Sequence, residues 1–187
     1  MSSLALTDAA LFLVAAWLAS RRAFDIGYRL AFAGLAVPAL LGFLRFSGLY
    51  PLEGWHLLFT LMSASAALPL LAVCLMVPTS VVAQKRQFAL IFLLAAMLAG
   101  LLISGLGRLR VYDQALGFLS MVAMLVALIR MKDLPRAAGP ALMIVGSLLF
   151  LAKVSVPPWL APGDWLHLGM AAGLLMVAPM AKSQEIA

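Results

Sequence analysis

Residues 55–77 read WHLLFTLMSASAALPLLAVCLMV, a run of 23 residues that contains no Asp, Glu, Lys or Arg. An α-helix rises about 1.5 Å per residue, so this run is long enough to cross the ~30 Å hydrocarbon core of a bilayer. The whole chain has the same character, since 65% of its residues are hydrophobic and only 11% are charged. Soluble domains are roughly 45–50% apolar and about 25% charged. We therefore expect lipid to be the solvent for most of this protein.

Comparable apolar runs, separated by charged residues, Pro and Gly, occur along the whole chain. They lie at about 5–20, 30–49, 55–77, 88–106, 114–131, 140–156 and 165–181. Each is near the ~17–25 residues that a membrane-spanning helix needs. The sequence predicts an all-α integral membrane protein, a compact bundle of seven transmembrane helices, with six as the alternative count because the first and last runs are short. It also predicts a single domain over residues 1–187, since no linker or repeat interrupts the pattern.

The basic residues indicate an orientation in the membrane. With seven spans, nine of the thirteen Lys and Arg residues fall on one side of the bilayer and four on the other. The nine are Arg21, Arg22, Arg29, Lys85, Arg86, Arg130, Lys132, Arg136 and Lys182, and the four are Arg45, Arg108, Arg110 and Lys153. Because cytoplasmic loops carry the excess of Lys and Arg, we expect the N-terminus outside and the C-terminus in the cytoplasm. The expected location is a bacterial inner (plasma) membrane.

The same excess of Lys and Arg explains the net charge of +6. In a membrane protein such an excess usually reflects the orientation of the loops and their contact with anionic lipid headgroups. No Lys/Arg run typical of a nucleic-acid patch is present, so nucleic-acid binding is not expected. Membrane lipids are the expected partners, and a protein partner or a homo-oligomer remains open. The N-terminal MSSLALTD lacks the basic region of a signal peptide, so we expect the first helix to stay in the mature protein.

Small residues at four-residue spacing predict places where helix backbones approach closely. Such spacing occurs at Gly34, Pro38 and Gly42, and again at Gly169 and Gly173. In membranes these positions favour tight contact between neighbouring helices.

Polar residues recur at the predicted outer ends of the helices. The stretch GDWLHLG, residues 163–169, places Asp164 and His167 one turn apart on one helix face. In the third run, His56 and Ser63 share a face that leads inward. The other polar residues at this end are Asp8, Arg45, Asp113 and Lys153. If these faces converge, the bundle holds a polar pocket near its extracytoplasmic side, and ionisable residues inside a membrane are a functional-site hypothesis by default.

Two imidazoles together with carboxylates match a zinc-type ligand set. In this hypothesis His56, His167 and Asp8 hold the metal, with Asp164 as the alternative carboxylate ligand. A bound zinc ion could polarise a carbonyl group or activate a water molecule.

The remaining polar residues complete this hypothetical site. Ser63 would orient the activated water or the substrate carbonyl, and Asp164 would be the second catalytic residue. Arg45 and Lys153 would bind an anionic lipid headgroup.

Each of these residues has a structural alternative. The carboxylates in the first turns of their helices can cap free N–H groups at the positive end of the helix dipole. These carboxylates belong to Asp8, Asp113 and Asp164. Arg45 and Lys153 lie close enough to the surface to extend their charged ends into water. His56 follows Trp55 at a predicted interface and could hydrogen-bond to lipid headgroups.

In outline the chain resembles the CREST group of seven-helix membrane hydrolases, which includes the alkaline ceramidases and the progestin/adiponectin receptor family. The resemblance rests on Ser63 and His56 on an early helix, on Asp8, and on Asp164 and His167 on the last helix. TDAALFLVAAW and GDWLHLGMAA also look like the first and last helices of uncharacterised bacterial seven-helix proteins. The resemblance implies zinc-dependent cleavage of a lipid amide or ester. That family typically uses three histidines, an Asp and a Ser near the cytoplasmic side, whereas this chain has two histidines and the charge bias puts them outside.

Four functions are compatible with these residues. The first is a metal-dependent lipid amide or ester hydrolase, and the alternative is a non-catalytic membrane binding or assembly subunit. A small transporter is less well supported, because no continuous line of ionisable residues crosses the middle of the bundle. A haem protein would require His56 and His167 to face each other across a roomy pocket.

Overall fold

The computed structural model of the protein describes residues 2–48, 52–106, 111–155 and 159–179. Within these ranges the regular structure is helical throughout, with nine α-helices and two π-helical segments. The α-helices are α1 (Ser3–Ser20), α2 (Ile26–Phe46), α3 (Glu53–Met62), α4 (Leu68–Met76), α5 (Val81–Gln84), α6 (Arg86–Gly100), α7 (Val111–Arg130), α8 (Leu134–Leu151) and α9 (Pro162–Val177). The π-helical segments are π1 (Ser63–Ala67) and π2 (Leu101–Leu106). The prediction of an all-α protein is confirmed for this part of the chain.

By length and composition, six helical stretches of the described chain can cross a membrane. They are Ser3–Ser20, Ile26–Phe46, Glu53–Met76, Arg86–Ser104, Val111–Arg130 and Leu134–Leu151. The third stretch joins α3, π1 and α4 into one helix that contains most of the run at 55–77. Helix α9 has 16 residues and is therefore about 24 Å long, somewhat short of a full bilayer core. Six helices are thus long and apolar enough to span a membrane, and a seventh crossing by α9 stays a prediction.

Six of the described α-helices form a closed ring, and α6 lies outside it. Around the ring, α1 contacts α2, α2 contacts α4, α4 contacts α7, α7 contacts α8, α8 contacts α9, and α9 returns to α1. Helix α6 packs outside the ring, against π1 and α5. Completely buried side chains fill the interior of the ring, among them Phe32, Leu70, Leu71, Met124, Leu128 and Leu174. Helix α9 thus closes the bundle between α1 and α8.

Glycines bring α8 and α9 into backbone contact. A methyl group added at Gly146 would lie 2.6 Å from the carbonyl oxygen of Trp165, and one at Gly169 would lie 2.8 Å from that of Leu142. A methyl group at Gly173 would also come within 2.6 Å of a backbone oxygen of α8. Carbon atoms cannot approach this closely, so larger residues would push the two helices apart. The predicted close packing at Gly169 and Gly173 is confirmed.

The largest difference between predicted and observed boundaries occurs at α8. The apolar run predicted a helix over 140–156, whereas α8 extends over Leu134–Leu151. Asp133 sets the start, because its Oδ1 accepts a hydrogen bond from the N–H of Arg136 at 3.3 Å, and a proline occupies the first turn. Hydrophobicity alone misses this start because the first turns of α8 contain charged and small residues.

The π1 segment marks the middle of the third membrane-spanning stretch. The N–H of Leu68 bonds to the carbonyl of Ser63, five residues back, instead of four. Pro69 follows and has no N–H to give to the carbonyl of Ser65, so the normal helical ladder is interrupted here in any case. The buried Ser65 side chain fits against Gly100 of α6, where a methyl group would collide with it. The widened turn thus coincides with the contact that holds α6 to the ring.

Two of the basic residues counted for membrane orientation also cap helix C-termini. Arg29 Nε donates to the carbonyl of Ala19 at 3.0 Å, and the Arg136 guanidinium donates to the carbonyl of Val177 at 3.0 Å. Cations at helix C-termini are favourable because the last carbonyls have no partner within the helix. Three of the counted residues, Arg108, Arg110 and Lys182, lie outside the described residues. The orientation of the termini stays a prediction.

Candidate functional site

Polar side chains meet at the end of the bundle where α1, α3 and α9 begin and α2 ends. They form two neighbouring groups. The Asp8–His167 group consists of Thr7, Asp8, Asp164 and His167. The Arg45 group consists of Arg45, Glu53 and His56.

Asp164 connects the start of α9 to α1. It is completely buried in the first turn of α9, and its Oδ2 accepts a hydrogen bond from the N–H of Ala161 at 2.6 Å. Its Oδ1 accepts a hydrogen bond from the hydroxyl of Thr7 at 2.7 Å. Both carboxylate oxygens are therefore engaged, one as the cap of α9 and the other in a bond between helices. This carboxylate fixes the register of α9 against α1.

The imidazole of His167 faces the carboxylate of Asp8. His167 follows Asp164 by three residues, so both side chains lie on the α9 face that contacts α1. The Nδ1 atom of His167 lies 3.4 Å from Asp8 Oδ1 and 3.4 Å from the oxygen of Thr7. The Asp8 side chain is 2% exposed and the His167 side chain is 16% exposed. The pair is thus nearly shielded from solvent, and Nε2 is the imidazole nitrogen that is not directed at Asp8.

One oxygen of Asp8 has no hydrogen-bond partner among the described residues. This oxygen, Oδ2, is buried and points toward α2, where a methyl group at Gly42 would lie only 2.5 Å from it. Glycine is therefore the residue that leaves room for the carboxylate. A buried polar atom without a partner costs roughly 1–3 kcal/mol, and more when it is charged. Within the Asp8–His167 group, Asp8 is therefore the residue whose hydrogen-bonding capacity is least satisfied.

The Arg45 group joins the end of α2 to the start of α3. The guanidinium of Arg45 lies 3.2 Å from His56 Nδ1 and forms an ion pair with Glu53. The ring of Phe46 lies 5.0 Å from the guanidinium carbon and contacts His56 edge-on, with 5.8 Å between ring centroids. The Arg45 side chain is 22% exposed and that of Glu53 is 57% exposed. Arg45 is also in the last turn of α2, where a cation suits the helix dipole.

The two groups are close enough to influence each other. Arg45 interacts electrostatically with Asp8, and His56 interacts in the same way with His167. The two groups therefore lie near each other at one end of the bundle, with one histidine in each, and a single pocket formed by both stays a prediction.

Two of the residues expected in the site lie elsewhere. Ser63 is seven residues beyond His56, about 10 Å further along the helix, and lines an apolar groove between α2, α3 and α6. Lys153 is exposed just beyond the end of α8, with a left-handed backbone (φ 53°). Among the described residues its side chain forms no ion pair.

Among the described residues, the ligand set that zinc needs is not assembled. Within the described ranges, no three His, Cys, Asp or Glu side chains are grouped so that they could hold a metal ion. Both oxygens of Asp164 accept hydrogen bonds, and His56 directs Nδ1 at Arg45. The set of His56, His167 and Asp8 is thus not brought together, and zinc binding stays a prediction from the sequence.

Other contacts at this end could not be inferred from sequence patterns. Thr7 bridges Asp164 and His167, yet a threonine inside an apolar run gives no signal of such a role. Gly42 was expected to favour close helix packing, and the structure places the Asp8 carboxylate against it. Asp113, considered as a helix cap, accepts a hydrogen bond from Ser104 at 3.1 Å and so connects α7 to π2.

Comparisons with known proteins identify a family without an assigned activity. Residues 3–185, nearly the whole chain, match the model of a family described as a family of unknown function (DUF6962). Neither a search of curated proteins nor a search of solved structures found a match. The functional inference therefore rests on the residues of the site.

Proposed function

We propose that this chain, which belongs to the family of unknown function DUF6962, is a membrane-embedded hydrolase of lipid amides or esters. The observation that carries the proposal is the shielded pair of Asp8 on α1 and His167 on α9. Ionisable groups inside a membrane protein are costly, and where they persist they often serve substrate binding or proton transfer. A carboxylate that faces one nitrogen of an imidazole is the arrangement that general acid–base catalysis uses.

The proposed reaction uses His167 as the base and then as the acid. His167 Nε2 takes a proton from a water molecule while the water oxygen adds to the carbonyl carbon of the lipid. The C–N or C–O bond then breaks, and the proton on Nε2 passes to the departing nitrogen or oxygen. Asp8 holds Nδ1–H and stabilises the imidazolium formed between these two steps. The products are a fatty acid and the amine or alcohol of the headgroup.

Neighbouring residues position this pair. Thr7 and Asp164 hold α9 in register with α1, so they are positioning residues for His167. Arg45 supplies a positive charge beside Asp8 and is the proposed contact for an anionic headgroup. No step requires a metal ion.

The proposal includes a placement in the membrane. We take α9 as a seventh crossing, supported by its antiparallel packing on α8 and its contact with α1. With the excess of basic residues on the cytoplasmic side, the polar end of the bundle faces the outside of a bacterial inner membrane. A lipid could then reach the site from the outer leaflet.

The experiment is hydrolysis by the purified full-length protein in lipid nanodiscs. Ceramide, monoacylglycerol and phosphatidylglycerol would be offered, and released fatty acid would be quantified by mass spectrometry. We expect Asp8→Asn and His167→Gln to lower the rate by about 10²-fold or more. His56→Gln should lower the rate less than these two variants do, because His56 contacts Arg45 and Phe46 but not Asp8. Full activity in His167→Gln would refute the proposed role, and loss of activity only after chelation would favour the zinc-dependent form.

A non-catalytic assembly subunit is the second candidate. The contacts of Asp164 with Thr7 and of Arg45 with Glu53 tie helix ends together, as a purely structural role requires. In that case none of the lipids would be cleaved. The Asp8→Asn and His167→Gln variants would then show a lower unfolding temperature as their only change.

A further inference from the structure

We infer that the groove between α2, α3 and α6 holds one acyl chain of an anionic membrane lipid whose headgroup lies at Arg45. The inference rests on the proposed function, because the lipid bound in the groove would be the substrate of the Asp8–His167 pair. Binding itself does not require hydrolysis and can be measured separately.

The groove is an apolar cavity of about 220 Å³ that opens on the outside of the bundle. Its walls include Gly34, Val37, Phe59, Leu93 and Met97, and Ser63 is the polar residue that lines it. Val37 is 40% exposed, so the groove is accessible from the surface that faces lipid.

The volume of the groove suits a segment of hydrocarbon chain. A dry apolar cavity of about 150 Å³ is large enough to bind benzene, whereas pockets for drug-sized molecules occupy roughly 300–1,000 Å³. The groove lies between these sizes. A flexible single chain fits such a space better than a fused ring system does, and acyl chains are the most abundant apolar groups in a bilayer.

Small residues keep the groove open. Gly34 has no side chain, and a methyl group there would lie 2.9 Å from Cβ of Ala67. Ala33 contributes only a methyl group to the wall. A larger residue at Ala33 would therefore reduce the space in the groove, and one at Gly34 would push α2 away from π1.

Arg45 lies on the α2 face that forms the groove. It follows Gly34 by eleven residues, which is close to three full helical turns, and it follows Val37 by eight residues, about 12 Å along the helix. On the facing helix, His56 and Ser63 are seven residues apart, close to two turns, and so share a face. The groove therefore leads along both helices toward the Arg45 group.

The present partner of Arg45 can be exchanged for a headgroup. Glu53 is 57% exposed, and solvent-exposed ion pairs of this kind contribute little to stability. A lipid phosphate can accept two hydrogen bonds from a guanidinium and would compete with the Glu53 carboxylate. Removal of the Glu53 charge should therefore favour the lipid, while removal of the Arg45 charge should disfavour it.

The experiment is photolabelling of the full-length protein in phosphatidylcholine nanodiscs. The probe is a phosphatidylglycerol with a photoreactive diazirine in its acyl chain, and adducts are located by mass spectrometry. We expect adducts on the groove-lining parts of α2, α3 and α6. Ala33→Leu should lower this labelling about fivefold or more, because the added side chain occupies the groove. Ala95→Leu is the same substitution at an exposed position of α6 and should leave the labelling unchanged.

Charge variants test the headgroup part of the inference. We expect Arg45→Gln to lower labelling and Glu53→Gln to raise it. If both variants lowered labelling equally, the ion pair would be only structural and the headgroup assignment would be overturned. Uniform adducts on all lipid-facing helices, unaffected by Ala33→Leu, would overturn the groove assignment.

A second groove variant covers a failure of Ala33→Leu to fold. Val37→Phe enlarges a side chain at the exposed rim of the groove and should also lower labelling. Its control is Leu94→Phe, at an exposed position of α6. Asp8→Asn should still be labelled in the groove even when it abolishes hydrolysis. Labelling without hydrolysis in the unmodified protein would leave the lipid site standing and remove only the enzymatic proposal.

Discussion

Asp8 on α1 and His167 on α9 face each other where the ring of helices closes, with Asp8 Oδ1 3.4 Å from His167 Nδ1. These residues are about 160 positions apart in the chain, and the neighbouring bond from Thr7 to Asp164 spans the same two helices. The contact between α1 and α9 is thus made by polar groups at one end and by apolar packing below it.

If Asp8 and His167 act as a unit, their substitutions should not be additive. We expect the double variant Asp8→Asn with His167→Gln to be about as slow as His167→Gln alone, because either change removes the same acid–base function. Fatty-acid release by the four proteins of this cycle measures the coupling. Rate losses that multiply in the double variant would mean that the two residues act separately.

Gly42→Ala should destabilise the protein through Asp8. The new methyl group would lie 2.5 Å from Asp8 Oδ2, a steric conflict that typically costs about 1–3 kcal/mol. The thermal unfolding temperature, followed by tryptophan fluorescence in detergent, measures the change. Gly54→Ala on α3 is the control, since a methyl group there meets nothing within 4 Å. Asp8→Ala should restore much of the stability of Gly42→Ala, and no such rescue would show that the conflict lies elsewhere.

Thr7→Val should weaken the connection between α1 and α9. The substitution keeps the shape of the side chain but removes the hydroxyl that donates to Asp164 at 2.7 Å. Hydrogen bonds to charged groups contribute about 1.5–3 kcal/mol, so we expect a loss of that order in the free energy of unfolding. Thr60→Val is the matched control, because the exposed Thr60 hydroxyl donates only to a carbonyl of its own helix. Equal effects of the two substitutions would contradict the bridging role of Thr7.

A seventh crossing predicts that the two chain ends lie on opposite sides of the membrane. In a bacterial host, a C-terminal fluorescent-protein fusion should fluoresce, since the C-terminus is expected in the cytoplasm. An N-terminal epitope should be accessible from the periplasmic side in spheroplasts. If both tags were found on one side, the bundle would cross six times and α9 would not span the bilayer.

The helices of this fold were predictable because long apolar runs leave the backbone no other way to satisfy its hydrogen bonds in lipid. Which helices pack against each other was not predictable, since any apolar helix can pack against any other and local sequence does not state which pairs form. His56 and His167 illustrate the difference. Each was expected at the polar end of the bundle. In the structure His56 contacts Arg45 of α2, whereas His167 faces Asp8, which packs against Gly42 of α2, so the two histidines belong to different groups.

Within one helix, sequence spacing was informative about the site. The three-residue interval between Asp164 and His167 correctly predicted a shared face. The position of Ser63 on the face of His56 was less informative, because seven residues cover about 10 Å of depth and put Ser63 in the groove. A shared face therefore indicates direction but does not bring two residues into contact.

The meeting of α1 and α9 also has a consequence for the order of events during biosynthesis. A ribosome adds about 5–20 residues per second, so His167 is made roughly 10 to 30 s after Asp8. Until then Asp8 lies in the second turn of α1 without its imidazole partner. An unpaired acid at the centre of a membrane helix costs about 2.5 kcal/mol or more, and the cost is lower near a helix end, where Asp8 lies. The contact that shields Asp8 therefore forms only when α9 has been translated and has docked beside α1.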